Sequence, residues 1–121
     1  MSTANLASAI FGTWFDASAN AAFAVDRATQ RVACANARFA AILGRKRGEL
    51  DGASFPALLR DSADVRDLLK SSAPRDHVAF HHGGGGTAYL SLELASMAHL
   101  GRGELVAFLG RDTTAVRRRR D

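Results

Sequence analysis

The segment AFAVDRATQRVACANARFAAILGRKRGELDG, residues 22–52, decides the fold of this chain of 121 residues. Its first half predicts two short strands, residues 22–26 and 31–36, joined by a short link. Side chains two positions apart in a strand point to the same face of the sheet. The pairs that we expect to share a face are Phe23 with Val25 and Val32 with Cys34.

The spacing of the apolar residues changes from strand to helix at Asn36. Phe39, Ile42 and Leu43 follow it at helical spacing. Asn36 is of a residue type favoured at the first position of a helix, where its side chain is worth about 1 kcal/mol by accepting from a free backbone amide. Gly44 stands where a glycine commonly ends a helix. The sequence therefore predicts a compact helix between Asn36 and Gly44.

Three further helical pieces are expected before the last strands. They are a helical turn within residues 45–52, a short helix that Pro56 limits within residues 54–58, and a helix from residue 61 or 62 to about residue 72.

The C-terminal third of the chain has strand periodicity. Leu90, Leu92 and Leu94 alternate with other residues, and four glycines, residues 83–86, separate them from the preceding HVAFHH. This pattern predicts two antiparallel strands around a glycine turn. A second turn at residues 101–103 leads into ELVAFLGRD, whose apolar residues lie on both faces, so we expect both faces of that strand to be covered.

The order of these elements predicts an α+β fold with a five-stranded antiparallel sheet and short helices mainly on one face. Residues 6–15, LASAIFGTWF, carry an apolar stripe at helical spacing and predict an amphipathic helix that caps the other face. The stripe is larger than a surface helix should expose, so we expect it to form a homodimer contact as well. Capping without dimerisation is the alternative. The residues expected at the dimer contact are Leu6, Ile10, Trp14 and Phe15.

Composition places the chain among single-domain globular proteins. Apolar residues make up 47% and charged residues 23%. The single cysteine, Cys34, forms no internal disulfide, and no apolar stretch approaches the length of a membrane span. The N-terminus has no basic region before its short apolar part, so it is not a standard signal peptide. We therefore expect a cytoplasmic protein with no membrane partner.

The net charge of +4 comes from the end of the chain. Four arginines and one aspartate occupy residues 117–121, and without them the 16 basic and 12 acidic residues fall to 12 and 11. The body thus has no basic field, residues 117–120 are expected to be a solvated linker, and nucleic acid is not an expected partner.

Five features follow one another along the chain: Asp26, Asn36, Leu43-Gly44, Glu49-Leu50-x-Gly52 and Asp112-Thr113-Thr114. In this order they resemble a PAS domain over about residues 16–116. The resemblance implies a PAS fold and a sensory or protein-interaction module within a longer signalling chain, such as a histidine kinase, a cyclic-dinucleotide enzyme or a transcription regulator. It divides the chain into a cap and dimerisation helix (residues 1–17), the PAS domain (18–114) and the start of a C-terminal signalling linker (115–121).

In PAS domains the junction that matches Asp112–Thr114 couples the sheet to the outgoing helix. We therefore expect Asn36, Asp112 and Thr114 to take part in signal coupling. Asp112 follows an apolar strand and is placed to accept from the amide of Thr114 or Ala115. The sequence departs from the family at Thr113, where an aliphatic residue is more frequent, and at Ala115, where an acidic one is common.

No catalytic constellation is present, so we expect no enzyme activity from this domain by itself. His77 and His81 lie four residues apart on a strand, roughly 13 Å, which is too far for both to bind one metal ion. The glycines at residues 83–86 lack the lysine and the helix of a phosphate loop and are expected to form only a turn. We predict no metal site.

Some PAS domains hold haem, flavin or a small metabolite between the sheet and the helices. No cofactor is predicted here, because residues 52–56 lack the Asn-Cys-Arg motif of flavin photosensors and residues 61–72 lack a histidine for haem iron; His77 is the nearest alternative ligand. Cys34 is expected to be a small buried residue. If a small apolar ligand binds instead of the core collapsing, its expected contacts are Phe39, Ile42, Leu69, Phe80 and Leu92.

The function predicted from the sequence is a dimerising signalling module that passes a conformational change to a downstream effector domain such as a histidine kinase. Two alternatives remain: a sensor domain that binds a small ligand or haem, and a basic-tailed fragment of a transcription regulator.

Overall fold

The computed structural model describes residues 20–61, 68–69, 75–100 and 103–114, which form a five-stranded antiparallel sheet in the order β2-β1-β5-β4-β3. The two central neighbours, β1 and β5, come from opposite ends of the described chain. The predicted α+β fold with five antiparallel strands is confirmed. The strands are β1 (Ala21–Asp26), β2 (Val32–Ala35), β3 (Arg75–His81), β4 (Thr87–Leu100) and β5 (Gly103–Asp112).

Three short helices lie between β2 and β3: α1 (Ala37–Leu43), α2 (Arg47–Leu50) and α3 (Phe55–Leu58). Pro56 lies in the first turn of α3, where its missing amide costs no helical hydrogen bond. Leu68 and Leu69 are helical and buried. The remainder of the helix predicted at residues 61–72 and the whole N-terminal cap helix lie outside the described residues.

The first helix, α1, begins and ends as its sequence predicts. The Phe39 amide donates to Asn36 Oδ1 over 2.9 Å. Gly44 has a φ of 63°, a left-handed conformation that glycine adopts without steric cost, and its amide donates to the carbonyl oxygens of Ala40 and Ala41. Both ends of α1 are therefore satisfied by the residues next to them.

Five phenylalanines fill the space between the inner face of the sheet and the helices. Phe23 stacks on Phe39 with ring centroids 4.2 Å apart and on Phe108 with centroids 5.2 Å apart. Phe80 meets the edge of Phe39 at 5.9 Å. Because each phenylalanine comes from a different element, the cluster joins five elements at once. Its members are Phe23 on β1, Phe39 on α1, Phe55 on α3, Phe80 on β3 and Phe108 on β5.

A β-bulge at Ala33 reverses the facing of the residues around it. Ala24 pairs with Cys34, but the next residue of β1, Val25, pairs with Val32, so Ala33 is the extra residue. Val32 packs in the main core, while Cys34 packs on the outer face of the sheet. The prediction that Val32 and Cys34 share a face is therefore wrong, because the bulge breaks the two-residue alternation. The neighbours of Cys34 on the outer face are Ala22, Ala24, Ala107 and Leu109.

Truncation of the central ring should test the role of the aromatic cluster. Phe23→Ala is expected to lower the free energy of unfolding by about 3 to 5 kcal/mol, because Phe23 is fully buried and contacts three other rings. Urea denaturation followed by circular dichroism measures the loss. Leu109→Ala, on the partly exposed outer face, is the control and should cost less than roughly half as much. Equal losses would contradict the assignment, and Phe23→Leu serves if the alanine variant does not fold.

The burial of Cys34 predicts an unreactive thiol. Burial, with a smaller contribution from the negative charge of Asp51, raises the pKa of Cys34 from 9.0 to about 11. Two pKa units lower the thiolate fraction at pH 8 by about a hundredfold, and the thiolate is the nucleophile. Reaction with a disulfide reagent at pH 8 should therefore be at least about a hundredfold slower in buffer than in urea. Equal rates in the two solutions would show that the thiol is accessible in the folded chain.

Candidate functional site

Asn36 joins the start of α1 to the start of β1. Its side chain is fully buried, and Oδ1 accepts from the amides of Phe39 (2.9 Å) and Ala22 (3.0 Å). Its side-chain Nδ2 donates to the carbonyl oxygen of Asn20 over 3.0 Å. The backbone amide of Asn36 donates to the carbonyl oxygen of Ala22 over 2.9 Å. The sequence predicted only the bond within the helix. The bonds to Asn20 and Ala22 tie α1 to the point at which the chain enters the sheet.

A second set of hydrogen bonds fastens the end of β5 to the start of β4. The Thr114 amide donates to Asp112 Oδ1 over 3.0 Å, which confirms the bond predicted from the sequence. The Tyr89 amide donates to Thr114 Oγ1 over 3.0 Å, and the Thr113 amide donates to the Tyr89 carbonyl oxygen over 2.8 Å. Sequence reasoning missed Tyr89, because its contribution is made by its backbone and no residue pattern marks it.

These two junctions lie at the same end of the two central strands. Ala21, beside the Asn36 bonds, pairs with Gly110, which is two residues before Asp112. Antiparallel pairing thus places the entry to the sheet next to its exit. Asn36, Asp112 and Thr114, which were predicted to take part in signal coupling, occupy this one end of the sheet, and their role in coupling remains a prediction.

The five residues predicted to contact a ligand all belong to the main hydrophobic core. Phe39 and Phe80 are members of the aromatic cluster, whose rings touch one another, and Leu69 is 4% exposed. Side chains therefore occupy the volume between sheet and helices at these positions. Binding of a small ligand there remains a prediction for Phe39, Ile42, Leu69, Phe80 and Leu92.

The structure separates Cys34 from the core in which a cofactor was considered. Cys34 lies on the outer face, on the opposite side of the sheet from the aromatic cluster. Among the residues that the structure describes, no group of three or more His, Cys, Asp or Glu side chains is placed to hold a metal ion. The side chain of His77 and the predicted dimer residues Leu6, Ile10, Trp14 and Phe15 lie outside the described part of the chain.

A cleft of about 280 Å³ lies where the glycine turn, α1 and the end of β5 meet. His82 Nδ1 accepts from the Gly84 amide over 2.9 Å, and the Gly83 amide donates to the carbonyl oxygen of Leu43 over 2.8 Å. Gly44 has to be small here as well, because a Cβ would collide with the His82 ring. The residues that line the cleft are Ile42, His82, Gly85, Thr87, Ala88, Asp112 and Thr114.

No helix within the described ranges is long and apolar enough to cross a membrane.

Several solved structures share this fold. A PAS domain of an HTR-like protein from Haloarcula marismortui aligns with a TM-score of 0.67 and 22% identity over 91% of this chain and 90% of that one. The PAS domain of nitrogen regulation protein NR(II) from Vibrio parahaemolyticus aligns with a TM-score of 0.64 and 16% identity over 82% and 94%. A domain of a sensory box sensor histidine kinase/response regulator from Geobacter sulfurreducens aligns with a TM-score of 0.62 and 18% identity over 84% of this chain and 91% of that one.

A comparison with curated protein sequences gives no match. The sequence model of the PAS fold matches residues 15–118, which is most of the chain and agrees with the strand order and helix positions described above. The chain therefore belongs to the PAS-fold family.

Proposed function

We propose that this chain is a sensory signalling module that passes a conformational change from its core to the segment that follows β5. The observation that carries the proposal is the bonding of Thr113 and Thr114 to Tyr89, because it makes the position of the outgoing chain depend on the pairing of β4 with β5. The module has no enzyme activity of its own in this proposal and works in the cytoplasm.

The core and the exit are mechanically connected through β5. Phe108 packs in the aromatic cluster, and the same strand continues to Asp112, whose carboxylate accepts from Thr114. A change in the packing of Phe39 or Phe55 acts on Phe108 directly or through Phe23. A small displacement of β5 would then lengthen or break the bonds at Thr113 and Thr114 and tilt the segment after them.

The downstream partner is proposed to be an effector domain such as a histidine kinase. Solved domains with this fold include ones described as parts of a nitrogen regulation protein and of a sensor histidine kinase. The end of β5 lies beside the start of β1, so the segment that follows β5 leaves the sheet next to the point at which the chain enters it.

The proposed dimer involves the outer face of the sheet. Ala22, Ala24, Cys34 and Ala107 make this face small and smooth, and all four are fully buried. A helix packs closely on such a surface. We propose that the amphipathic helix predicted at residues 6–15 covers it and that Leu6, Ile10, Trp14 and Phe15 extend the contact to a second copy.

A core substitution read out at the exit tests the relay. Phe39→Leu is expected to change the amide chemical shifts of Tyr89, Thr113 and Thr114 in two-dimensional NMR spectra, because the rearranged core displaces β5. When Phe39→Leu is made in a chain that also carries Thr114→Val, the shift of the Thr113 amide signal should be smaller. The reason is that valine lacks the hydroxyl that accepts from the Tyr89 amide. Thr114→Ser keeps the hydroxyl and is the control. A response at Thr113 that is the same in the valine and serine backgrounds would contradict the relay.

Light scattering at tens of micromolar tests the dimer. The expected mass is twice the 12.9 kDa of the chain. Trp14→Glu should give a monomer, because a charge in the apolar stripe is costly to bury. Ala9→Glu, on the opposite side of the predicted helix, should stay dimeric. A monomeric unmodified chain at this concentration would rule out the dimer and leave the helix as an intramolecular cap.

A further inference from the structure

Two arginines that are distant in sequence meet at the glycine turn. Arg60, after α3, donates from Nη2 to the carbonyl oxygen of Gly86 over 2.6 Å. Arg45, after α1, packs its Cγ against Gly83, 3.1 Å from the position that a Cβ would take. The side chains of Arg45 and Arg60 therefore lie against the first and the last residue of the turn formed by residues 83–86.

The cationic groups around this turn have no anionic partner in the described residues. The ion pair between Arg27 and Glu104 lies on another part of the surface, away from the turn. Arg45 Nε is buried from solvent and has no hydrogen-bond acceptor. A carboxylate of a partner reaches the terminal nitrogens of this half-buried side chain, not the buried Nε, and a carboxylate accepts two parallel hydrogen bonds from an arginine.

Two more unpaired cations extend the positive surface. Lys46 is exposed and follows Arg45 directly. Arg38 is exposed on α1 and lies one turn before Ile42, which lines the cleft beside His82, so Arg38 is on the side of α1 that faces the turn. We call Arg38, Arg45, Lys46, Arg60 and residues 83–86 the glycine-turn surface.

The size of this surface indicates a ligand with several negative groups. Its four cations come from three segments of the chain, namely α1, the link that follows α1 and the segment that follows α3, and a single carboxylate or phosphate does not pair with all four. Residues 83–86 are exposed and have no side chains, so an extended chain can approach their backbone closely.

Charge distribution favours a protein ligand over nucleic acid. Up to residue 116 the chain has only one more basic than acidic residue, so it lacks the broad positive field that attracts a polyanion over long distances. Asp112 also lines the adjacent cleft and limits the positive surface on that side. We propose that the glycine-turn surface binds a short acidic segment of a partner protein, with clustered Asp and Glu side chains on Arg45 and Arg60. This inference uses a surface that the relay does not involve and does not depend on it.

Binding of a fluorescein-labelled octaglutamate peptide to the full chain, followed by fluorescence anisotropy at low salt, tests the proposal. The double variant Arg45→Gln with Arg60→Gln should bind about tenfold more weakly or worse, because both charge pairs with the peptide are lost. Arg31→Gln with Arg111→Gln removes the same charge from two exposed arginines elsewhere and should bind like the unmodified chain. Circular dichroism and thermal melting establish that each variant is folded.

Arg38→Gln with Lys46→Gln provides a second test that does not touch the packing of the turn, and it should also weaken binding. Absence of peptide binding, or equal weakening in the Arg31 and Arg111 control, would overturn the proposal. Tighter binding of a thymidine oligonucleotide or of phosphatidylserine vesicles through Arg45 and Arg60 would overturn it too and would assign the surface to nucleic acid or to a membrane.

Discussion

Stacking of Phe23 between Phe39 and Phe108 is the interaction on which the rest of this PAS domain depends. Phe23 and Phe108 lie on the two central strands, which are paired although one opens and the other closes the described sheet. Phe23 also stacks on Phe39 of α1. Phe55 of α3 and Phe80 of β3 pack in the same cluster. A domain of this size has room for a single core, so any change in that core affects nearly every element.

Polar hydrogen bonds fix the two places at which the chain enters and leaves the sheet around this apolar core. Asn36 is fully buried, and its amide group is satisfied by bonds to Phe39, Ala22 and Asn20, so it orients α1 against the entry to β1 without the cost of an unpaired polar group. At the exit, Thr114 uses its hydroxyl and its amide to join β4 and Asp112. Both sets of bonds lie at one end of β1 and β5, so the chain enters and leaves the described sheet at neighbouring positions.

Charged side chains are distributed unevenly between the two sides of the domain. The outer face of the sheet is lined by alanines and Cys34, which suit close packing by a helix, whereas the side that carries α1 and the glycine turn presents four cations without anionic partners in the described residues. One side of the molecule thus suits apolar contacts and another suits an acidic partner.

The sequence by itself determined the features that neighbouring residues control. The ends of α1 follow from Asn36 and Gly44, the bond of Asp112 to Thr114 joins residues two apart, and the order and type of the strands follow from local periodicity. Only the tertiary structure decided that Ala33 bulges and sends Cys34 to the outer face, that Asn36 also bonds to Asn20 and Ala22, and that Arg45 and Arg60 meet at one turn. These features depend on contacts between residues far apart in the chain, and no spacing along the sequence encodes which backbone groups or side chains the folded sheet brings within bonding distance.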